Sequence, residues 1–195
     1  MLRSIKDLIG YPIQATDGDL GKVADCLFDD REWGLRYLVA ATGWVGRHKV
    51  LVSPRDLDQP NVGWYDRHFP VKLTKKQVKN CPPLESDEPV SQLYEEEYAR
   101  YHRHPEYWKG AFVWGMMSSP LGQVVPRADQ HEERMAEIAK RSLRSAKEVI
   151  GYIVNASDGK FGEVEDLILQ TDIWKVRHLV IDTNTGPPEK KTLID

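Results

Sequence analysis

The sequence predicts a mainly β protein with an α connector: two small β-barrels, the second one short, joined by a helical, aromatic-rich segment. Three observations predict it. A forty-residue stretch is written twice, glycine-bearing turn signals cut each copy into short strands, and the composition changes sharply between the copies.

Residues 4–43 and 145–184 align without a gap at a constant offset of 141. Matching pairs include Ser4/Ser145, Gly10/Gly151, Tyr11/Tyr152, Asp17/Asp158, Gly18/Gly159, Gly21/Gly162, Asp25/Asp166, Trp33/Trp174, Arg36/Arg177 and Leu38/Leu179. A repeat of this length is a folded unit rather than one turn of a solenoid.

Each copy reads the same way. Ser4-x-x-Asp7 and Ser145-x-x-Glu148 resemble capping boxes opening a short helical turn, which Gly10 or Gly151 ends. A strand follows over Tyr11–Ala15 or Tyr152–Ala156. Asp17-Gly18 and Asp158-Gly159 then signal tight hairpins. Gly21 or Gly162 starts the return strand. The third strand, Leu35–Ala41 or Val176–Asp182, is nearly continuous in apolar residues, which predicts burial on both faces.

The first copy continues further. Lys49–Val52 is a fourth strand, Ser53-Pro54 opens a turn, and RHFPVKL (67–73) places Phe69, Val71 and Leu73 on one face. Thr74 to Gln77 is a capping box for a final helical turn. Five or six short strands in some eighty residues predict a closed barrel, which removes exposed edges. In the second copy Lys191–Ile194 matches the fourth strand, but nothing matches RHFPVKL. That barrel is left open, or another segment or subunit completes it. The chain thus divides into a first repeat (1–84), a connector (85–143) and a short second repeat (144–195).

These residues resemble the PRC-barrel family, which includes the cytoplasmic domain of the photosynthetic reaction centre H subunit and the C-terminal domain of the ribosome maturation factor. GYPIQATDGDLGKVADCLFD, RYLVAATG and KVLVSPRDL carry the likeness in the first half; GYIVNASDGKFGEVEDLILQ and RHLVIDTN carry it in the second. The resemblance covers most of residues 3–82 and 144–194 and looks like stand-alone bacterial two-repeat members. It implies a docking or assembly barrel without chemistry of its own. No N-terminal membrane anchor like the H subunit's and no separate N-terminal domain like the maturation factor's is expected, because a barrel repeat begins almost at Met1.

Composition narrows the function classes. The chain has 195 residues, 27 Lys+Arg against 30 Asp+Glu, and a net charge of −3. This argues against a dedicated nucleic-acid binder. No apolar stretch approaches a membrane span, and Lys6 and Asp7 interrupt anything resembling a signal peptide. Two cysteines, Cys26 and Cys81, make no disulfide framework, so a cytoplasmic setting is expected.

The connector is acidic, then aromatic. Ser91 can cap a helix with Leu93, Tyr94, Tyr98 and Tyr101 on one face, ended by Pro105; a second helix is expected over 128–142. Tyr107, Trp108, Phe112 and Trp114 cluster within eight residues. Tyr98, Tyr101, Tyr107, Trp108, Phe112 and Trp114 form the candidate interaction surface, against the plainer reading that they pack onto a barrel.

No catalytic, cofactor or metal site is expected. His102-x-His104 with Glu106 has a metal-like look, but at a helix end residues two apart diverge, and solvated histidines favourable to the helix dipole explain them. Asp17, Asp19 and Asp25 lack a calcium ladder. Asp25 and Asp166 are expected to accept backbone hydrogen bonds or to pair with Arg36 and Arg177. Lys75, Lys76 and Lys79 read as a solvated face. The expected role is a non-catalytic interaction or assembly module, acting as a homo-oligomer. The alternatives are a soluble accessory of photosynthetic electron transfer and a small-ligand or metal sensor.

Overall fold

The computed structural model describes residues 1–43, 48–58, 67–81, 90, 92–104, 143–157, 159–183 and 191–194. The protein is mainly β, with two sheets. The first holds β2 (Pro12–Ala15), β3 (Gly18–Asp29), β4 (Leu35–Thr42), β5 (His48–Val52) and β6 (Phe69–Pro70), in the order β5-β4-β3-β2-β6. The second holds β8 (Ile153–Ala156), β9 (Gly159–Gln170), β10 (Lys175–Asp182) and β11 (Lys191–Ile194), with β8 paired to β9.

The remaining two strands exchange places. β1 (Leu2–Ser4), from the first repeat, pairs antiparallel with β9 of the second, Arg3 opposite Leu169. β7 (Leu143–Ser145), at the start of the second repeat, pairs with β3 of the first, Arg144 opposite Phe28. Each sheet therefore carries a strand from the other half. The halves also join at their centres. Leu35 N–H donates to Trp174 O at 2.7 Å, and Val176 N–H donates to Trp33 O at 2.8 Å. Trp33 and Trp174 both hold left-handed backbones, φ 58° and 52°, which aromatic residues rarely adopt. The twofold likeness of the repeats extends to this strained detail.

The caps form as the sequence predicts. α1 (Ile5–Leu8) and its counterpart α4 (Ala146–Val149) are capped by Ser4 and Ser145, each accepting from the backbone N–H three residues on at 3.1 Å. α2 (Lys75–Lys79) carries the full Thr74–Gln77 capping box.

Gly21 and Gly162 do not start the return strands, which begin at Gly18 and Gly159. Both instead sit beside a register shift where the chain passes close to the third strand. A Cβ at Gly21 would lie 2.1 Å from Ala41 O, and one at Gly162 2.4 Å from Asp182 O. Only glycine permits that approach.

Neither sheet closes into a barrel among the described residues. In the first, an isolated Leu57–Val71 bridge and the Lys72 N–H to Asp56 O bond at 2.7 Å tie the β6 end back to the segment after β5. No ladder joins β6 to β5. Of the expected 67–73 strand, Phe69–Pro70 pairs parallel to β2 and Val71 pairs only in the isolated bridge; Pro70 has no N–H to contribute. The alternation survives, because Phe69, Val71 and Leu73 are all buried. β11 pairs with β10 in the register that β5 keeps with β4: Ile194 faces Leu179 as Val52 faces Leu38.

The main core runs through both units, from Ile5, Ile13, Val23 and Leu38 to Leu167, Leu169 and Ile181. A second cluster, Leu27, Tyr37, Val39, Leu51, Cys81, Tyr98 and Leu143, covers the outer face of the first sheet. β4 is accordingly buried on both faces from Leu35 to Ala40. β10 is not, contrary to expectation, because the second sheet carries no such cover among the described residues.

Candidate functional site

The difference between the units locates the site, and it begins with what covers the first one. α3 (Gln92–His102) lays Tyr98 edge-on against Tyr37, ring centroids 5.2 Å apart. The Tyr98 hydroxyl accepts from Ser53 N–H at 3.0 Å and donates to Asp56 Oδ2 at 3.2 Å. Burial, then the nearby Asp56 carboxylate, holds the phenol well above its ordinary range. Tyr101 stays exposed, although its hydroxyl donates to Gln77 O at 2.9 Å.

α3 ends before Pro105, at a residue in the left-handed conformation. Arg103 has φ 54°, Arg103 N–H reaches Arg100 O, and His104 N–H reaches Ala99 O at 2.8 Å, a Schellman arrangement. This turn folds His104 back beside His102, with ring centroids 5.5 Å apart and planes at 27°. The expectation that the two rings diverge into solvent is corrected on that point: it assumed continuing helical geometry, and the left-handed residue breaks it. His102 Nε2 lies 3.4 Å from Cys81 Sγ, and His104 Nε2 lies 3.0 Å from Asp56 Oδ1.

These are two separate pairs rather than one ligand shell. Among the described residues no group of three or more His, Cys, Asp or Glu side chains is placed to hold a metal ion. The Cys81–His102 pair is also electrostatically quiet. Burial, then Asp56, pushes the Cys81 thiol up to about 12, and burial, then His104, lowers His102 against the opposing pull of Asp56. Both groups are neutral near pH 7, the opposite of an activated thiolate–imidazolium pair.

Asp25 and Asp166 accept hydrogen bonds across the strand exchange. Asp25 Oδ1 takes Cys26 N–H at 2.7 Å and Lys147 N–H at 3.2 Å, and Asp166 Oδ1 takes Leu167 N–H at 2.7 Å and Lys6 N–H at 3.0 Å. Their suggested pairing with Arg36 and Arg177 is not seen. Arg36 turns to Asp29 at 3.5 Å and Glu32 at 3.7 Å.

Among the described residues the second unit has no such cover. The outer-face residues Leu27, Tyr37, Val39 and Leu51 are buried in the first unit; their counterparts Ile168, His178 and Val180 are half-buried, and Leu193 is 61% exposed. The hairpin differs in the same direction. Ile13, Ala15 and Leu20 are buried against the β6 side, whereas Val154 is half-buried and Ala156 and Phe161 are exposed. No described strand pairs with the outer edge of β8, the place that β6 takes on β2. Of the seven exposed large hydrophobic residues among those described, Met1, Leu2, Tyr152, Ile153, Phe161 and Leu193 belong to the second sheet or its margins. Only Tyr101 lies elsewhere.

A cleft of 340 Å³ opens into the second unit. Val176, Leu179 and Ile194 form its apolar lining with Trp33, and Lys175, Arg177 and His178 complete its wall. The first-unit counterparts Leu35, Leu38 and Val52 are fully buried, in a core that Leu57, Phe69 and Val71 help to fill. A separate cleft of 450 Å³ lies beside α2, between Leu20, Val50 and Val78, with Lys75 and Lys79 on its rim and both lysines exposed.

Of the candidate interaction residues, Tyr98 is inside the fold and Tyr101 is on its surface; Tyr107, Trp108, Phe112 and Trp114 lie outside the described residues, as does the helix expected over 128–142. The uncovered second sheet was legible only as the missing counterpart of RHFPVKL. The chain matches no family model and no curated protein.

Proposed function

We propose that the chain is a non-catalytic protein-interaction or assembly module, built from a duplicated PRC-barrel-like unit, in which the second sheet is the docking face. One observation carries this reading. The sheet that the first unit covers with α3 and the β6–α2 segment has no such cover among the described residues of the second, where Ile153, Phe161 and Leu193 are exposed. Exposed apolar residues concentrated in one sheet, beside a strand edge that no described strand pairs with, are the physical signature of an interaction site. The neutral Cys81–His102 pair supports a role without nucleophilic chemistry. No described helix is long and apolar enough to cross a membrane. Self-association through the second sheet is one form this docking takes.

The test is affinity capture from native cells, with the chain compared to a variant carrying Ile153→Ser, Phe161→Ser and Leu193→Ser. The reading expects partners, a second copy included, to be held by the parent and lost by the variant while its melting stays cooperative. Equal capture by both chains contradicts it.

A further inference from the structure

The cleft of the second unit differs from its counterpart in charge as well as in cover. In the first unit Arg36 is buried, and Asp29 and Glu32 stand 3.5 and 3.7 Å from its guanidinium. Applying the offset of 141 puts Arg177 where Arg36 stands, but Gln170 and Ile173 where the two carboxylates stand. The cation has been kept and its anions have been replaced. Arg177 is exposed and Lys175 half-buried, and neither side chain makes a hydrogen bond or ion pair among the described residues. Both lie on the wall of the cleft whose lining is Val176, Leu179, Ile194 and Trp33, and none of the described lining residues is acidic.

We propose that this cleft binds an acidic residue carried on an extended apolar segment of a partner protein, with Arg177 and Lys175 receiving the carboxylate. The proposal rests on the docking reading and names the chemistry of the partner. An apolar floor beside two cations whose side chains have no partner among the described residues complements aliphatic side chains next to a carboxylate. A guanidinium favours that group because its fork of donors matches the two oxygens. The first unit shows the arrangement completed within the chain: Asp29 and Glu32 supply the anions, and Phe69, Val71 and Leu57 join the apolar core. The charged pair sets which partner is accepted, and the apolar floor supplies contact area.

The experiment is an amide-resolved NMR titration of the full chain with two capped peptides. One has the sequence of Arg67–Leu73, the chain's own covering segment. The other is the same peptide with Arg67→Glu and Lys72→Glu. The acidic peptide is expected to shift the amides of Lys175–Leu179 and Ile194 and to bind about tenfold more tightly than its basic parent, less so as salt rises. In the Arg177→Glu chain the order of the two peptides reverses, with melting unchanged. Equal binding of both peptides at the cleft overturns the acidic specificity and leaves the docking reading standing. No binding of either peptide anywhere on the second sheet overturns both. Octanoate is the third arm: if it binds as tightly as the acidic peptide, the cleft is a small-molecule site and the proposal fails.

Discussion

Ser145 Oγ donates to Asp25 Oδ2 at 2.5 Å, across 120 residues of chain, and the Ser4 hydroxyl donates to Asp166 in the mirror-related place. Each serine also caps the short helix that follows it. Each aspartate binds a backbone N–H of the other copy. One residue pair, used twice, thus locks the exchanged strands β1 and β7. Neither pair could be read from one copy alone, because within a copy the serine and the aspartate serve different sheets.

These bonds are charge-assisted and partly sheltered, so each is worth about 1.5–3 kcal/mol. Asp25→Ala is expected to lower stability by that amount, and Asp166→Ala by a similar amount. Denaturant unfolding of the single variants measures both. A loss at one site only would mean that the exchange is not symmetric in strength.

Tyr98→Phe removes the donor to Asp56 and the acceptor for Ser53 N–H without changing the ring packing. Leaving buried polar groups without partners costs about 1–3 kcal/mol. The expected outcome is a destabilised first unit with an unchanged fold, seen as a lower denaturant midpoint at constant slope.

Alkaline stability follows from Cys81. Its thiol is raised from 9.0 to about 12, chiefly by burial. A group with a raised folded-state pKa contributes stability that is complete below the unfolded value of 9.0 and is lost as pH climbs through about 12. Folded protein at pH 8 is expected to leave Cys81 unreacted toward a disulfide reagent, with reaction appearing on unfolding. Rapid labelling of the folded chain would contradict the buried neutral thiol.

His102 acts at the other end of the scale. Burial lowers its pKa below the usual 6.5, so its contribution is present above pH 6.5 and is lost as pH falls below it. His102→Gln is expected to flatten the decline in stability between pH 6.5 and 5, measured by thermal melting in matched buffers. A decline of unchanged steepness would remove His102 from the account.

Much of the fold was legible. The capped turns, the Asp-Gly hairpins, the serine-proline turn and the match of Lys191–Ile194 to the fourth strand all rest on local chemistry, and local chemistry is written in the sequence. The exchange of β1 and β7 was not legible, because a three-residue strand such as Leu2–Ser4 carries no record of which sheet it joins. The fold-back of His104 depends on one left-handed arginine, a conformation that glycine announces and arginine does not. The exposed second sheet was half legible. The absence of a second RHFPVKL could be seen, but the bareness of Phe161 and Leu193 needed the packed first unit for comparison.

The account stands on the two copies forming one kind of unit, held together by equivalent exchanged strands and differing in cover. Intramolecular inter-residue NOEs test this most directly. The account predicts cross-strand contacts between Leu2–Ser4 and Ile168–Gln170, and between Leu143–Ser145 and Leu27–Asp29. Contacts of Leu2–Ser4 with Leu27–Asp29, and of Leu143–Ser145 with Ile168–Gln170, would contradict it.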